Sequence, residues 1–536
     1  MNSITGKGSK LECGDLTDDP VVSHYFRCFR RVVCDEGHRA KNPSTQISQC
    51  VANLHCRHNW ILTATPMMNK VTDYYGYLIL LFRQQWKSQY HWFTSTSPYR
   101  SVSVQDPISE RLFLLDPALF NALRIKGSIP IDRAFLALPQ ILSLTYLRRT
   151  MGSEVPMGNG KRIRVGDDIP RYKVRTIEVE ATRREQAEYT PYHAKQVSQL
   201  KRFSKAHNID LTQTDTTRFN MRSFRRLCHM SYSVSLERLV TRVTRNLVRD
   251  VEIWHHLGDH GLTHFLTRAN LDYGFVVSQS RSECAQYLVN STPKLRYLSK
   301  ILLDTVVLGR RRLLIFANWP MVAWHIEMFL NLMGFRILSL RARHSDEIKT
   351  SAIAKFNDPA SSVEILVSTY STCAIGVNLH MACHDLVLME PAMNANMALQ
   401  TIGRIHRIGQ TEVQSVSILF QDHTFDRYME FKSANKMMSQ ISGQGPKAFR
   451  EVQASLQAPG AHDSDAANSD IDEDETAVLG NSANTMYMEL FGQTRSRLGW
   501  KDPAVLWDDD LPSVPEPRHT RSRKYKSPAH LPRVHI

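Results

Sequence analysis

Two pairs of residues, far apart in the chain, have the types and spacing for phosphoryl chemistry. The first is an adjacent acid pair, Asp35-Glu36, which closes the short apolar run "RRVVC". If that run is a buried strand, both carboxylates stand at the open edge of a sheet, where ligands bind in α/β folds. Asp35 could then hold Mg²⁺ through water, and Glu36 could orient an attacking water. The second pair is Arg404 and Arg407 in "TIGRIHRIGQ". On a helix, residues three apart project from the same side. A guanidinium suits the bracing of charge on a transferred phosphate, worth roughly 10³–10⁵ in rate where it acts as a finger. Alone, neither pair means much, because acidic strand ends and arginine-bearing helix faces are ordinary surface.

The surrounding strings carry more weight. Asp35-Glu36 is followed by Gly37, His38, Lys41 and Asn42. Some twenty residues on, "LTATPMMN" offers Thr63, Thr65, Pro66 and Asn69 in a small-residue turn. In "STYSTCAIGVNLHMACHDLVLMEPAMNANMALQTIGRIHRIGQ", Gly376 permits close backbone approach, Asn378 and Leu379 complete a turn before a strand, and Gln400 precedes the arginines. In this order the strings resemble the second, third, fifth and sixth helicase motifs in their Swi/Snf form. The passages "YLRRT", "RYKVRTIEVEATRREQAEY" and "STPKLRYLSKIL" resemble the family's link between lobes and its entry into the second lobe. Arg148 and Arg149 are either braces between lobes or a plain surface pair. The resemblance covers residues 30–85, 145–190 and 290–435. A DEAD-box RNA helicase fits poorly, because Gly37-His38 with Lys41-Asn42 and "RIHRIGQ" follow the Swi/Snf style.

The resemblance implies an ATP-dependent DNA translocase of α/β class, with two RecA-like helicase lobes built on parallel sheets, the first incomplete, and with helical insertions. It implies catalytic roles for Asp35, Glu36, Arg404 and Arg407. His38, Thr63, Thr65, Gly376 and Gln400 would bind or couple to ATP, and Asn69 and Asn378 would couple to DNA. ATP and Mg²⁺ are the implied cofactors, with the metal at Asp35 through water and no zinc. Duplex DNA is the implied partner, with nucleosomes or histones beyond it, in remodelling or repair within the nucleus.

Departures from the family pattern are several. Ala64 stands where the family mostly has Gly, Cys373 and Ala374 where it has two glycines, Lys349 where Arg is expected, and Met393 where an aromatic residue is usual. The largest is the phosphate-binding string G-x-x-x-x-G-K-[ST], whose backbone N–H groups cradle phosphates and whose Lys reaches their oxygens. "TGKGSK" at residues 5–10 has Gly8 where Ser or Thr should follow Lys7, and no strand before it. Positioning supplies most of this catalysis, so the chain as it stands is expected not to turn over ATP appreciably. Either the sequence starts at an internal Met of a longer, active protein, which we favour, or the gene is degenerate. The alternative function is a catalytically dead DNA- or chromatin-binding module.

The elements that must position these residues follow from periodicity. "FRRVVC" and "NWILTATP" read as short strands flanking a helix in "NPSTQISQCVANL". Residues 83–145 are mixed and partly helical, and helical patterns dominate 183–305. There Leu236, Leu239, Val243 and Leu247 mark one face, and Arg238, Arg242, Arg245 and Arg249 mark another. From 311 to 420, "RLLIFA", "FRILSL", "VEILVS" and "DLVLME" alternate with "WHIEMFLNLMG" and "DEIKTSAIAKFN". That alternation implies a mainly parallel sheet covered on both faces. The expected division is residues 1–145 as a partial ATP-binding lobe, 146–290 as an inter-lobe bracing region, 291–440 as the C-terminal lobe, and 441–536 as a disordered tail. That tail carries the acidic "HDSDAANSDIDEDET" and the basic "RSRKYK", the latter compatible with nuclear import.

Composition sets the outer limits. A chain with 42% apolar and 22% charged residues can bury a core over most of its length. The net charge of +15, with a pI near 9.4, favours a polyanionic partner through counterion release. Nine cysteines without a C-x-x-C pair imply reduced thiols. Cys50, His55, Cys56 and His58 match no zinc spacing and are expected to pack rather than bind metal. No run is long and apolar enough for a membrane span, and the chain is expected to be intracellular.

Overall fold

Strands that are apolar at every position can be buried only inside a sheet covered on both faces. The C-terminal half of the chain supplies one such strand and four that are largely apolar, and builds that sheet. The computed structural model describes residues 25–64, 66–67, 71–83, 86, 99, 102–125, 129, 131–149, 151–206, 221–237, 280–372, 377–421, 424–430 and 433. The expected tail and the arginine stripe from Arg238 to Arg249 lie outside the described residues.

The first unit opens with β1 (Arg31–Cys34), α1 (Gln46–Asn53) and β2 (His58–Ile61). The two strands pair in parallel, with Val33 opposite Trp60. Helix α1 begins where Thr45 accepts a hydrogen bond from Ser48 N, which satisfies one free amide of the first turn. Behind the sheet pack α2 (Tyr74–Leu81), α3 (Pro117–Ala122) and α4 (Ile131–Thr145). Their core includes Tyr77, Leu78, Leu114, Phe120, Leu138 and Ile141, with Ile61 of β2 against it. Asn59 donates to Leu80 O at 2.8 Å and ties β2 to α2. The opposite sheet face stays open: Val33 is 55% exposed, Trp60 49% and Leu62 48%.

A short antiparallel hairpin, β3 (Glu154–Pro156) with β4 (Arg162–Arg164), follows and was not foreseen. Next come β5 (Lys173–Glu178), the long α5 (Arg183–Ala206) and α6 (Met221–Tyr232). Then follow α7 (Arg281–Ser291) and α8 (Pro293–Leu302). The second unit continues through β6 (Leu313–Ala317), α9 (Pro320–Leu332), β7 (Ile337–Leu340), α10 (Asp346–Asn357) and β8 (Ile365–Thr369). It closes with β9 (Asp385–Leu388), α11 (Ala395–Ile402) and β10 (Ser415–Phe420).

The six strands run in the order β5-β10-β9-β6-β8-β7, and every pairing is parallel. Leu313, Ile315, Ile365, Val367 and Val387 enter one core with α7, α8 and α9. Their neighbours Leu314, Phe316, Leu366, Leu386 and Leu388 enter the other with α10 and α11. This is period-two alternation with both faces buried. The strand β5, from the passage between lobes, pairs along its whole length with β10, Lys173 opposite Ser415. Arg296 locks this arrangement by bonding Glu185 at 3.1 and 3.0 Å and Glu180 O at 3.1 Å.

Candidate functional site

The acid pair sits where β1 runs out. Leu62 N donates to Cys34 O at 2.9 Å and Gly37 N to Leu62 O at 2.8 Å, so the chain turns sharply between them. Glu36 takes the turn in the left-handed region, at φ 48° and ψ 43°. For a non-glycine residue this costs about 1–2 kcal/mol and concentrates at functional sites. Asp35 and Glu36 are both exposed, and Asp35 Oδ1 accepts from Glu36 N at 2.9 Å. A Cβ on Gly37 would stand 2.3 Å from Ile61 Cγ2, which explains the glycine.

His38 joins this turn to the next motif. Its Nδ1 lies 3.2 Å from Glu36 Oε2 and 3.2 Å from Thr63 Oγ1. Partial burial lowers the imidazole pKa; the Glu36 carboxylate opposes this, while Lys41 and Arg39 reinforce it. The Lys41 ammonium bonds Asp73 at 2.7 Å, where α2 begins. A Cβ on Gly76 would fall 1.9 Å from Lys41 O, so the helix and the motif backbone touch directly. Thr65 and Asn69 lie outside the described residues.

On the second unit one sequence expectation is corrected. Arg404 and Arg407 do not share a helix face, because α11 ends at Ile402 with Gly403 as its cap. They occupy successive tight turns, in which Arg404 N donates to Thr401 O at 3.0 Å and Gln410 N to Arg407 O at 3.0 Å. The break is local: the backbone stays right-handed at Gly403, at φ −61° and ψ −5°, and tightens from there into successive turns.

These turns zip onto the segment from Val377 to Cys383. Leu379 N donates to Arg404 O at 3.0 Å, and Arg404 Nη1 to Val377 O at 3.4 Å. Arg407 Nε donates to Gly403 O at 2.8 Å, and its Nη1 bonds Asn378 Oδ1. Gln410 Nε2 reaches His380 O, Cys383 O and Ile405 O at 3.1–3.2 Å. Arg404 is buried and Arg407 half-buried. Gln400 is half-buried on α11, and Gly376 lies outside the described residues, as do Cys373 and Ala374. Sequence reasoning passed over Gln410, although it closes the quoted string.

The strand order reverses between β6 and β9, and the crevice outside their carboxyl ends is where α/β sheets bind ligands. Glu390 fills it: Asn318 N donates to Glu390 Oε2 at 2.8 Å, and Tyr370 OH donates to Glu390 O at 2.8 Å. Lys294, fully buried, bonds Asp426 at 2.6 Å nearby. Burial pushes the Glu390 carboxyl up to about 7, with Lys294 and Asn318 opposing and Asp426 reinforcing the shift. Burial likewise raises Asp426 despite Lys294.

Cys56 Sγ donates to Asn59 Oδ1 at 2.8 Å, and the His55 ring meets Phe26 edge-on at 4.7 Å. Arg148 and Arg149 are exposed, with Arg149 Nη1 donating to Arg148 O at 2.9 Å. Lys349 pairs with Asp346 at 3.5 Å on α10. No helix among the described residues is long and apolar enough to cross a membrane.

Comparison with known proteins matches the SNF2-related domain over residues 16–233 and the helicase conserved C-terminal domain over residues 293–409. The chain is 30% identical over 122 residues to the DNA repair protein RAD5 of Saccharomyces cerevisiae, covering 22% of this chain and 10% of that one. It is 22% identical over 424 residues to chromodomain-helicase-DNA-binding protein 6 of Rattus norvegicus, covering 79% of this chain and 13% of that one. It therefore spans only a small part of the length of these relatives. A crystal structure of the C-terminal part of the Fun30 ATPase domain aligns with 61% of this chain and 100% of its own, at 16% identity and a TM-score of 0.34. That score is too low to bear on the fold.

Proposed function

The chain belongs to the SNF2-related family of helicase-like ATPases, and from that premise we propose that it is a Swi/Snf-type DNA translocase module that retains the acid and guanidinium halves of the ATP site. The observation that carries this reading is the zipped arginine turn, where Arg407 is held by neutral oxygens and so keeps its charge for an outside anion. Residues 1–145 act as a partial ATP-binding lobe, 146–290 as the inter-lobe region, 291–440 as the C-terminal lobe and 441–536 as a tail.

The residues present fit part of the implied cofactor. Asp35 offers an exposed hard-oxygen ligand of the kind Mg²⁺ takes through water. Glu36, oriented by His38, would position a water, and Arg404 and Arg407 would face the phosphates. Thr63 and Thr65, with Gly376 and Gln400, would relay the nucleotide state, and Asn69 would couple it to DNA. The phosphate cradle does not fit, since no G-x-x-x-x-G-K-[ST] string occurs in the 536 residues. We therefore derive no hydrolytic step for this polypeptide alone. Relatives named for DNA repair and DNA binding, together with the +15 charge, support duplex DNA as partner and a nuclear setting in repair or remodelling.

Duplex-DNA binding should weaken linearly in log Kd against log salt, and ATP hydrolysis should stay at background with or without DNA. Robust DNA-stimulated hydrolysis would refute the loss of turnover, and salt-independent or absent DNA binding would refute the translocase reading. A second reading is a catalytically dead DNA- or chromatin-binding module, supported by the same +15 charge. Binding of ATPγS that is lost in Arg407→Ala supports the first reading; DNA binding without any nucleotide binding supports the second.

A further inference from the structure

A guanidinium held at one nitrogen swings about that bond, whereas two bonds at different nitrogens set both its place and its plane. Arg407 has two: Nε to Gly403 O at 2.8 Å, within its own turn, and Nη1 to Asn378 Oδ1, across the seam. Both acceptors are neutral, and among the described residues no carboxylate pairs with Arg407. The Asn378 side chain is the only part of this clamp that a substitution can remove without touching the backbone.

The Asn378 backbone is pinned independently. Asn357 Nδ2, at the end of α10, donates to Asn378 O at 2.8 Å. The next residue, Leu379, is fully buried and donates its N–H to Arg404 O at 3.0 Å. Gln410 secures His380 O and Cys383 O just beyond. Asn378 itself is exposed, so no packing requirement dictates its side chain. The position therefore demands an amide oxygen within reach of Arg407 and little else.

We infer that Asn378 is a positioning residue for Arg407: its amide oxygen orients the guanidinium for an anionic phosphate without cancelling its charge. This rests on reading Arg407 as a phosphate-facing group, and it gives Asn378 a role different from the DNA coupling that the family resemblance implies. The choice of amide over acid follows from charge. A carboxylate would hold the guanidinium as firmly, but it would neutralise the charge the phosphate needs.

The two functions, holding and sparing charge, can be separated. Asn378→Ala releases the guanidinium and leaves its charge, whereas Asn378→Asp holds it and compensates the charge. Phenylglyoxal attacks the deprotonated guanidine of an accessible arginine, so its rate at Arg407, read by mass spectrometry on the full chain, reports both. We expect Asn378→Ala to speed Arg407 modification about fivefold, equivalent to about 1 kcal/mol, the usual worth of one hydrogen bond. Asn378→Asp should slow it by a similar factor. Arg404, held separately by Val377 O, and Arg312, bonded to Asp358 O and Ser361 O, should not change. Thermal unfolding should shift by no more than the loss of that one bond, a few degrees at most.

Equal Arg407 rates in all three forms would overturn the inference, as would a faster rate in Asn378→Asp. A parallel rise at Arg404 in Asn378→Ala would also overturn it, because it would mean the loop had opened. None of these readouts involves nucleotide. If the expected order is found but ATPγS does not bind, the positioning role stands and the ATP reading falls.

Discussion

Replacing Lys294 by Met tests whether the second unit is closed by charge balance. The Lys294 side chain has 0% exposure and Asp426 5%, with the two in contact at 2.6 Å. Glu390, also buried, shares the same cation. Met roughly preserves the volume of the stem, so the loss is electrostatic, and two carboxylates are left with no cation. Breaking a buried pair in this way costs about 3–5 kcal/mol. The cost must depend on pH, because Lys294 lowers both carboxyl pKa values and its removal lets both rise. A carboxyl raised above its unfolded value stabilises the fold fully below the unfolded range, about 4.3. That stability is lost as pH climbs through the folded value, about 7 for Glu390 in the native chain. Lys294→Met should therefore be more damaging at pH 8 than at pH 5.5, because carboxyls raised further by loss of the cation are more fully protonated at the lower pH. Hydrogen exchange of the β6 and β8 peptides under mild urea isolates this sheet, since a chain with two units need not unfold in one step. A loss under about 1 kcal/mol at pH 8, or the same loss at both pH values, would refute the reasoning. The triple variant Lys294→Met, Asp426→Leu, Glu390→Gln should recover most of the stability, because an entire buried ionic network can often be replaced at little cost.

Glu390→Gln alone should flatten the fall in second-unit stability between pH 5 and 7, measured by the same exchange; an unchanged slope would assign the titration elsewhere. Gly76→Ala should cost about 3 kcal/mol in the first unit and expose α2 to exchange, because the new Cβ meets Lys41 backbone atoms at 1.9 and 2.5 Å. Gly37→Ala should cost somewhat less, about 2 kcal/mol, since its contact at 2.3 Å is a side-chain methyl of Ile61, although one held by a stiff β-branched Cβ. Equal costs for the two glycines would contradict the distinction between backbone and side-chain obstacles. Arg296→Ala should cost about 1 kcal/mol and loosen the start of α5, read as faster exchange at residues 183–190, because it removes a partly exposed bidentate bond to Glu185.

Much of this architecture was legible from local pattern. The run at 313–317 is apolar at every position and the one at 365–369 opens with three apolar residues, and a strand buried on both faces is the short element that such runs suit. The helix read in "DEIKTSAIAKFN" has those residues as its bounds, because Ser345 caps its first turn and Asp358 ends it in extended backbone. The helical placing of Arg404 and Arg407 failed although the corrective signal was in the string: Gly403 lies between Gln400 and the arginines and ends α11. The identities of the acid pair, of His38 and of Asn378 were likewise legible, since motif strings consist of neighbours in sequence.

Other features depended on contacts across long chain separations. Lys41 meets Asp73 from 32 residues away, Arg175 meets Ser417 from 242, and Lys294 meets Asp426 from 132. No spacing rule selects these partners, because each depends on which strands the sheet sets side by side. Residue types alone thus determined which groups could hold a metal, turn a water or brace a phosphate. Tertiary structure decided which of them are neutralised by a neighbour and which keep their charge. Lys294 is buried against carboxylates, while Arg407 rests on an amide and a carbonyl, and only the folded path of the chain distinguishes those two cations.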